Sequence, residues 1–392
     1  METWVEELPK KKFFPRVNTT DCLVTISMLI SNRIDTVEKC FESFRPLLEQ
    51  IPSEFIAVDT VGDEKSDGSI DVARKYADKI VHFEWCDDFA KARNAGLKEA
   101  RGKWLIYLDD DEWFDDVGPL IDFFSKPELY ENYDRVSMME HSYSSVSQID
   151  YSNTLFARIG KIGSKSKFID PVHENLVGIV YKNTYHLKET FIHHVGYIGK
   201  TISKKVDRNR RIMDKELEKN PGNLHLWLQQ IAGEGDDDKE MLNLAEKAVS
   251  ELRKRKLDDW NNSDWVEIFL YEIMGYARLK MWHKLDESVA ELLKHVKNPF
   301  YKGAAANFVL KRDFVEIGIE KLRDWIHIYF EALEYCEKIS KKPSELSFFL
   351  AGNITEAIMY KWVMMYFNFC LKDNVYERIK KMILDVPWHI CS

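Results

Sequence analysis

The stretch Lys103-Trp104-Leu105-Ile106-Tyr107-Leu108-Asp109-Asp110-Asp111-Glu112 limits the folds open to this chain more than any other. Five large apolar residues in a row, entered through Gly102, read as a strand buried on both faces, the pattern of a parallel sheet. Three aspartates stand at its carboxyl end, where open α/β sheets bind their ligands. Adjacent carboxylates repel one another unless a cation offsets them. Mg²⁺ and Mn²⁺ take oxygen ligands and commonly share one or two carboxylates with a substrate's phosphates. Side chains alternate along an extended segment, so Asp109 and Asp111 share one side and Asp110 faces the other. The plain alternative is a polar turn closing a core strand.

With 392 residues the chain has room for two or three domains. A hydrophobic content of 45% with 31% charged residues is that of a globular protein, and a formal charge of −9 argues against a general nucleic-acid binder. The six cysteines are scattered without a Cys-x-x-Cys pair, so neither zinc-site spacing nor a disulfide framework is present. Met1–Pro15 lacks the apolar core of a signal peptide, and no apolar run reaches membrane-spanning length. A cytoplasmic protein without a membrane span is the expectation.

Upstream of the aspartates, strand and helix alternate as in βαβ units. Leu23–Ile30 reads as a first strand, followed by helical spacing of Val37, Cys40, Phe41, Phe44, Leu47 and Leu48, with Asp35 or Thr36 placed to cap. Phe55–Val58 is the next strand, with Asp59-Thr60 at its end. Asp67-Gly68-Ser69 opens a helix through Tyr76, and Ile80–Phe83 forms a third strand. Asp87 or Asp88 caps a helix carrying Phe89, Ala92 and Leu97. After Glu112, shorter strands are expected over 136–139, 154–159, 176–181 and 190–195, with Pro171-Val172-His173-Glu174 in a loop between them.

Four of these features in this order carry a family resemblance: Ser31-Asn32-Arg33 after the first strand, Val58-Asp59-Thr60 with Ser66-Asp67-Gly68-Ser69, Asp88-Phe89-Ala90-Lys91-Ala92-Arg93-Asn94-Ala95-Gly96, and Leu108-Asp109-Asp110-Asp111. Over about the first 200 residues the chain resembles glycosyltransferase family 2, nucleotide-sugar-dependent and generally inverting enzymes of the GT-A fold. The resemblance implies that Asp59 bonds the nucleotide base. It places Arg93 and Asn94 on the nucleotide side of the cleft and gives Asp109 and Asp111 the diphosphate through Mn²⁺ or Mg²⁺. Asp110 is counted with Asp59, Arg93, Asn94 and Asp109 among the donor-binding residues.

Inverting transfer needs the acceptor's proton removed, and Glu174, with His173 as the next candidate, is the expected general base. The alternative is a surface loop charge. His194 is expected to complete the metal shell, since neutral imidazole ligates Mn²⁺. The alternative there is a core histidine, and His193 on the opposite strand face is the internal control.

Beyond Gly199 strand signals stop. Lys204–Lys219 is a charged helix, Pro221-Gly222-Asn223 breaks the chain, and helical pairs follow from Leu224, from Trp265, from near Phe308 and over Ile354–Leu384. Their spacing suggests a tetratricopeptide-like solenoid. The expected division is an extension over 1–20, a GT-A (Rossmann-like) α/β domain over 21–203 and an all-α helical domain over 204–392. The helical half would recognise an acceptor, form a homodimer, or only buttress the first.

Val172-His173-Glu174, then His194-Val195-Gly196-Tyr197, then Lys205, Arg208 and Asn209 ahead of such helices resemble bacterial peptide glycosyltransferases that modify cysteine or serine of glycocins. This resemblance implies a UDP-hexose donor, UDP-glucose or UDP-N-acetylglucosamine, and a peptide acceptor. Enzymes of cell-surface polysaccharide assembly share the layout and imply a glycan acceptor. The rival from another class is a helical-repeat adaptor whose first domain has lost catalysis, against which the pair Asp109 and Asp111 weighs. A nucleotidyltransferase would need a glycine-rich loop after the first strand, and Met28–Arg33 contains no glycine.

Overall fold

The computed structural model describes residues 3–9, 14–17, 21–62, 65–143, 151–179, 182–196, 202–234 and 237–316. The chain divides into two compact units, residues 1–214 and 215–392.

Among the described residues the first unit is built on a nine-stranded sheet. In chain order its elements are β1 (Trp4–Glu7), β2 (Val24–Ile30), α1 (Val37–Gln50), β3 (Ser53–Asp59), α2 (Ser69–Tyr76), β4 (Lys79–His82), α3 (Phe89–Glu99), β5 (Trp104–Asp109), β6 (Glu112–Phe114), α4 (Gly118–Phe124), α5 (Pro127–Tyr130), β7 (Arg135–Tyr143) and β8 (Tyr151–Lys161). The short pair β9 (Lys167–Ile169) and β10 (Asn175–Val177) follows, then β11 (Thr184–His194) and α6 (Ile202–Lys219), which crosses into the second unit. Sheet order is β1-β4-β3-β2-β5-β8-β7-β11-β6, with β9 and β10 forming a separate hairpin.

Strands β4, β3, β2 and β5 run parallel, and β8 joins β5 antiparallel. Every residue of β2 is buried, the polar Thr25 and Ser27 included, as in a strand covered on both faces. The six apolar positions expected on the first helix are those α1 buries. Strand order reverses direction between β2 and β5, so a crevice opens beyond their carboxyl ends, at Ser31 and Asp109.

Local details depart from the sequence reading in four places. Thr36 is the residue ahead of α1, but its hydroxyl donates to the Asp110 carbonyl at 2.8 Å instead of capping the helix. Residues 4–7, expected within an extension, form β1 and pair antiparallel with β4. The segment expected as a strand over 176–181 is only the three-residue β10, paired with β9 outside the main sheet. Strand β11 begins at Thr184, six residues before the expected start, and pairs parallel with β7.

The helices of the second unit are α7 (Leu224–Gly233), α8 (Asp238–Lys254), α9 (Ser263–Arg278), α10 (Trp282–His295) and α11 (Pro299–Glu316). Asn223, Asp237 and Asn262 accept backbone N–H bonds at the starts of α7, α8 and α9, which fixes where each begins. Helix α9 is buried continuously from Trp265 to Tyr276 because α7, α8, α10 and α11 all pack on it. The helical pattern over Ile354–Leu384 lies outside the described residues.

Candidate active site

The site sits at the β2/β5 crevice and is assembled around the three aspartates. Asp109 ends β5. Its Oδ1 accepts from Arg93 Nη2 at 2.7 Å and its Oδ2 from Arg158 Nη1 at 3.1 Å. These cations hold its carboxyl well below the usual range although burial alone would raise it. Asp110 lies in the turn after β5 and also lines the cavity, but its carboxylate is held by the loop after β2. Its Oδ2 accepts both the backbone N–H of Ser31 at 2.6 Å and the Ser31 hydroxyl at 2.9 Å. Burial and the neighbouring Asp111 charge push Asp110 up to about 7, against the pull of the Ser31 bonds.

Asp111 faces the cavity with Asp109. Its Oδ2 lies 3.0 Å from Arg33 Nη2 and 3.1 Å from Lys205 Nζ, and its Oδ1 lies 3.7 Å from His194 Nε2. His194 stands on β11, and its Nδ1 meets Glu140 Oε1 and Ser142 Oγ, each at 3.1 Å. Burial works against its charge. The Glu140 bond and the charges of Glu112, Asp111 and Glu140 overcome burial and lift His194 to about 9. His193 points to the opposite face, toward Tyr143 Oη at 2.6 Å and Asp115 Oδ1 at 3.1 Å, so the two neighbours separate as alternation requires.

Arg93 links both sides of the cleft. Only 3% of this residue is exposed, and it holds Asp109 with one nitrogen and Glu174 Oε1 with another. Helix α3 can present it there because Gly96 lets the helix approach β2 and β3 closely. A Cβ at that position would lie 2.7 Å from Ser27 Oγ and Val58 Cγ2. Asp88 caps the same helix through the Lys91 N–H.

Asn94 does not line the cavity. Its amide donates to the Phe168 carbonyl and accepts from the Phe168 N–H, both at 2.8 Å, so it staples β9 to α3. That staple and the 2.8 Å bond from Phe89 N–H to the Pro171 carbonyl set the loop that carries His173 and Glu174. His173 in this loop has φ +53°, a left-handed conformation uncommon outside glycine.

Asp59 is buried beside the cleft rather than in its lining. Its Oδ1 accepts the N–H groups of Val61 and Gly62, and its Oδ2 lies 3.0 Å from His82 Nδ1. His82 in turn meets Glu6 at 3.1 Å, under the stacked ring of Trp4 from β1. Asp59 thereby shapes the loop that places Thr60 on the cavity wall.

Three participants escaped the sequence reading. Arg158 bridges Asp109 and Glu112, Glu140 supports His194, and Arg33 pairs with Asp111. The available signal was an ionisable residue inside an otherwise apolar strand, Arg158 after Leu155-Phe156-Ala157 and Glu140 after Val136-Ser137-Met138-Met139.

The cleft has a volume of about 410 Å³ and is lined by all three aspartates, Glu174 and His194 together with Arg33, Lys205 and Arg208. Carboxylate oxygens with an imidazole nitrogen suit Mn²⁺ or Mg²⁺. The donor set therefore fits in kind, although each carboxylate oxygen of Asp109 and Asp111 already faces a cationic side chain.

Residues 25–180 match the model of glycosyl transferase family 2. The SPbeta prophage-derived glycosyltransferase SunS of Bacillus subtilis is 22% identical over 247 residues, covering 59% of this chain and 54% of SunS. A TPR repeat-containing protein of Synechococcus elongatus is 28% identical over 89 residues, 23% of this chain and 20% of that protein. The chain thus spans about half the length of SunS and less of the Synechococcus protein. Among solved structures, S. aureus TarS overlaps with a TM-score of 0.37 at 11% identity, covering 67% of this chain and 54% of TarS, too loosely to carry an argument. The strands, aspartates and paired cations described above thus fall within, or pack directly against, the segment 25–180 that is similar to glycosyl transferase family 2.

Proposed function

We propose that this chain transfers a hexose from a nucleoside diphosphate sugar, UDP-linked, to an acceptor with inversion at the anomeric carbon. The observation that carries this reading is the pair Asp109 and Asp111 at the β2/β5 crevice, sharing one cavity with Glu174 and with the cations Arg33, Lys205 and Arg208. A mixed array of that kind suits a ligand with a diphosphate at one end and a reacting carbon at the other.

In this reading Asp109, Asp111 and, once neutral, His194 would hold the divalent ion. When bound, that ion neutralises charge developing on the leaving phosphate. Asp59 supports the nucleoside end through the loop it shapes, and Arg93 keeps Glu174 in register with Asp109. Glu174 accepts the proton of the acceptor's hydroxyl or thiol. The freed electron pair bonds the anomeric carbon, and the bond to the phosphate oxygen breaks with its pair leaving on the nucleoside diphosphate. The motif order resembles that of peptide glycosyltransferases, and SunS is among the similar proteins, so a cysteine or serine of a peptide is the acceptor we favour, recognised through the helical unit. A glycan acceptor is the alternative.

The test is a panel of nucleotide sugars in thermal shift with and without Mn²⁺, followed by transfer to Cys and Ser peptides. Ligand at a hundredfold excess over its dissociation constant stabilises the folded state by about 2.7 kcal/mol. A donor that stabilises the protein and is turned over supports the reading. Absence of any donor-dependent shift removes it.

A further inference from the structure

Besides Arg33, which pairs with Asp111, the cations around the aspartates fall into two sets. Arg93 and Arg158 come from the sheet side and each bridges two carboxylates. Lys205 and Arg208 come from α6, three residues apart and therefore on one helix face. Both line the cavity.

Their bonding differs from that of the first set. Lys205 Nζ lies 3.1 Å from Asp111 Oδ2 and 3.1 Å from the Gly196 carbonyl. Arg208 lies over the Phe89 ring, its guanidinium carbon 4.9 Å from the centroid. Its Nε and Nη2 both donate to Asn209 Oδ1, at 3.2 and 3.0 Å, and among the described residues it forms no ion pair with a carboxylate. Burial holds its pKa below the usual guanidinium value, against the attraction of Asp109 and Asp87. A half-enclosed guanidinium without a carboxylate, beside a lysine resting on an aspartate, is a place prepared for an anion.

We propose that Lys205 and Arg208 form a two-point clamp for the donor's diphosphate, and that Lys205, together with Arg33, is a resident counter-ion of Asp111 until the diphosphate arrives. The proposal rests on the nucleotide-sugar reading above. Lys205 and Arg33 both sit on Asp111 Oδ2, a carboxylate oxygen that a divalent ion would need, so an ion binding alone must compete with both. A diphosphate entering with its ion gives the ammonium a new anion to bond, and the four-carbon stem lets it move there. Arg208 meets the same group with a planar fork suited to phosphate oxygens. Ion and nucleotide should therefore bind with strong mutual support and weakly apart.

The full chain tests this with UDP, GDP, ADP and CDP, by titration calorimetry with and without Mn²⁺, and with Mn²⁺ alone by electron paramagnetic resonance. Lys205→Met and Arg208→Met are each expected to weaken the tightest of these diphosphates by about 10- to 100-fold, the loss of a bond to a charged group. Affinity for the bare nucleoside should stay as it is in wild type. Lys205→Met should also tighten Mn²⁺ binding in the absence of nucleotide, whereas Arg208→Met should not. Lys205→Arg should keep the diphosphate. Opposite movement of ion and diphosphate in one variant is what a purely structural lysine would not produce. Wild-type affinities for both in Lys205→Met overturn the clamp and leave the nucleotide-sugar reading standing. A wild-type protein that binds none of the four diphosphates overturns both.

Discussion

At the residue scale, the aspartates have separate duties that their adjacency conceals. Asp110 bonds Ser31 and ties the end of β5 to the loop after β2, whereas Asp111 pairs with the cations Arg33 and Lys205. Asp111→Asn is expected to abolish transfer with an unchanged melting profile, and full activity of that variant or of wild type in EDTA would remove the metal from the mechanism. Glu174 is open to a finer test. A hydroxyl is almost fully protonated at neutral pH, but a thiol with pKa about 8.5 is already a few per cent thiolate. Glu174→Gln should therefore cost about 10²- to 10⁴-fold in turnover of a Ser peptide and less with the matched Cys peptide. Raising the pH should partly restore the Cys reaction. Unchanged turnover of the Ser peptide would shift the role of base to His173.

At the element scale, α3 and α9 show how one polar residue can matter for position or for stability. Asn94 on α3 binds both backbone groups of Phe168, so Asn94→Ala leaves two enclosed polar groups unpaired. A loss of about 1 to 3 kcal/mol in stability is expected, with slower turnover because the Glu174 loop is no longer held. Chemical denaturation and steady-state kinetics read the two effects separately. Glu272 lies within the enclosed length of α9. Burial, offset in part by Arg253 and reinforced by Glu246, pushes it up to about 7. The native state thus holds this proton more tightly than the unfolded chain, whose carboxyl titrates near 4.3. Its stabilising contribution is complete below that value and is lost as pH rises through about 7. Glu272→Gln should be more stable than wild type at pH 8 by on the order of 2 kcal/mol and nearly equal to it at pH 4. Parallel stability curves for the two proteins across that range would refute the assignment.

At the scale of the whole molecule, the cavity and its ionisable groups belong to the first compact unit, with the starting turns of α6 included. A chain ending after Lys219 is expected to bind nucleoside diphosphate as the full chain does and to lose transfer to the natural acceptor. Retention of full transfer would make the helical unit a buttress. Among the described residues no helix is long and apolar enough to cross a membrane, in line with the hydropathy of the sequence.

What the sequence determined by itself is whatever depends on local period. The apolar run of β5, the helical spacing of α1 and the alternation that separates His193 from His194 are consequences of strand and helix geometry. What only the tertiary structure decided is which charges meet. Arg93 reaches Glu174 from 81 positions away, Lys205 reaches Asp111 from 94, and β1 is a strand only because β4 offers it an edge. Asn94 sits next to Arg93 in sequence, yet turns to the Phe168 backbone, because adjacent residues on a helix face different directions. Local patterns record which face of an element is buried. The identity of the partner across the cleft depends on how the strands are ordered in the sheet, and no short stretch of this chain carries that information.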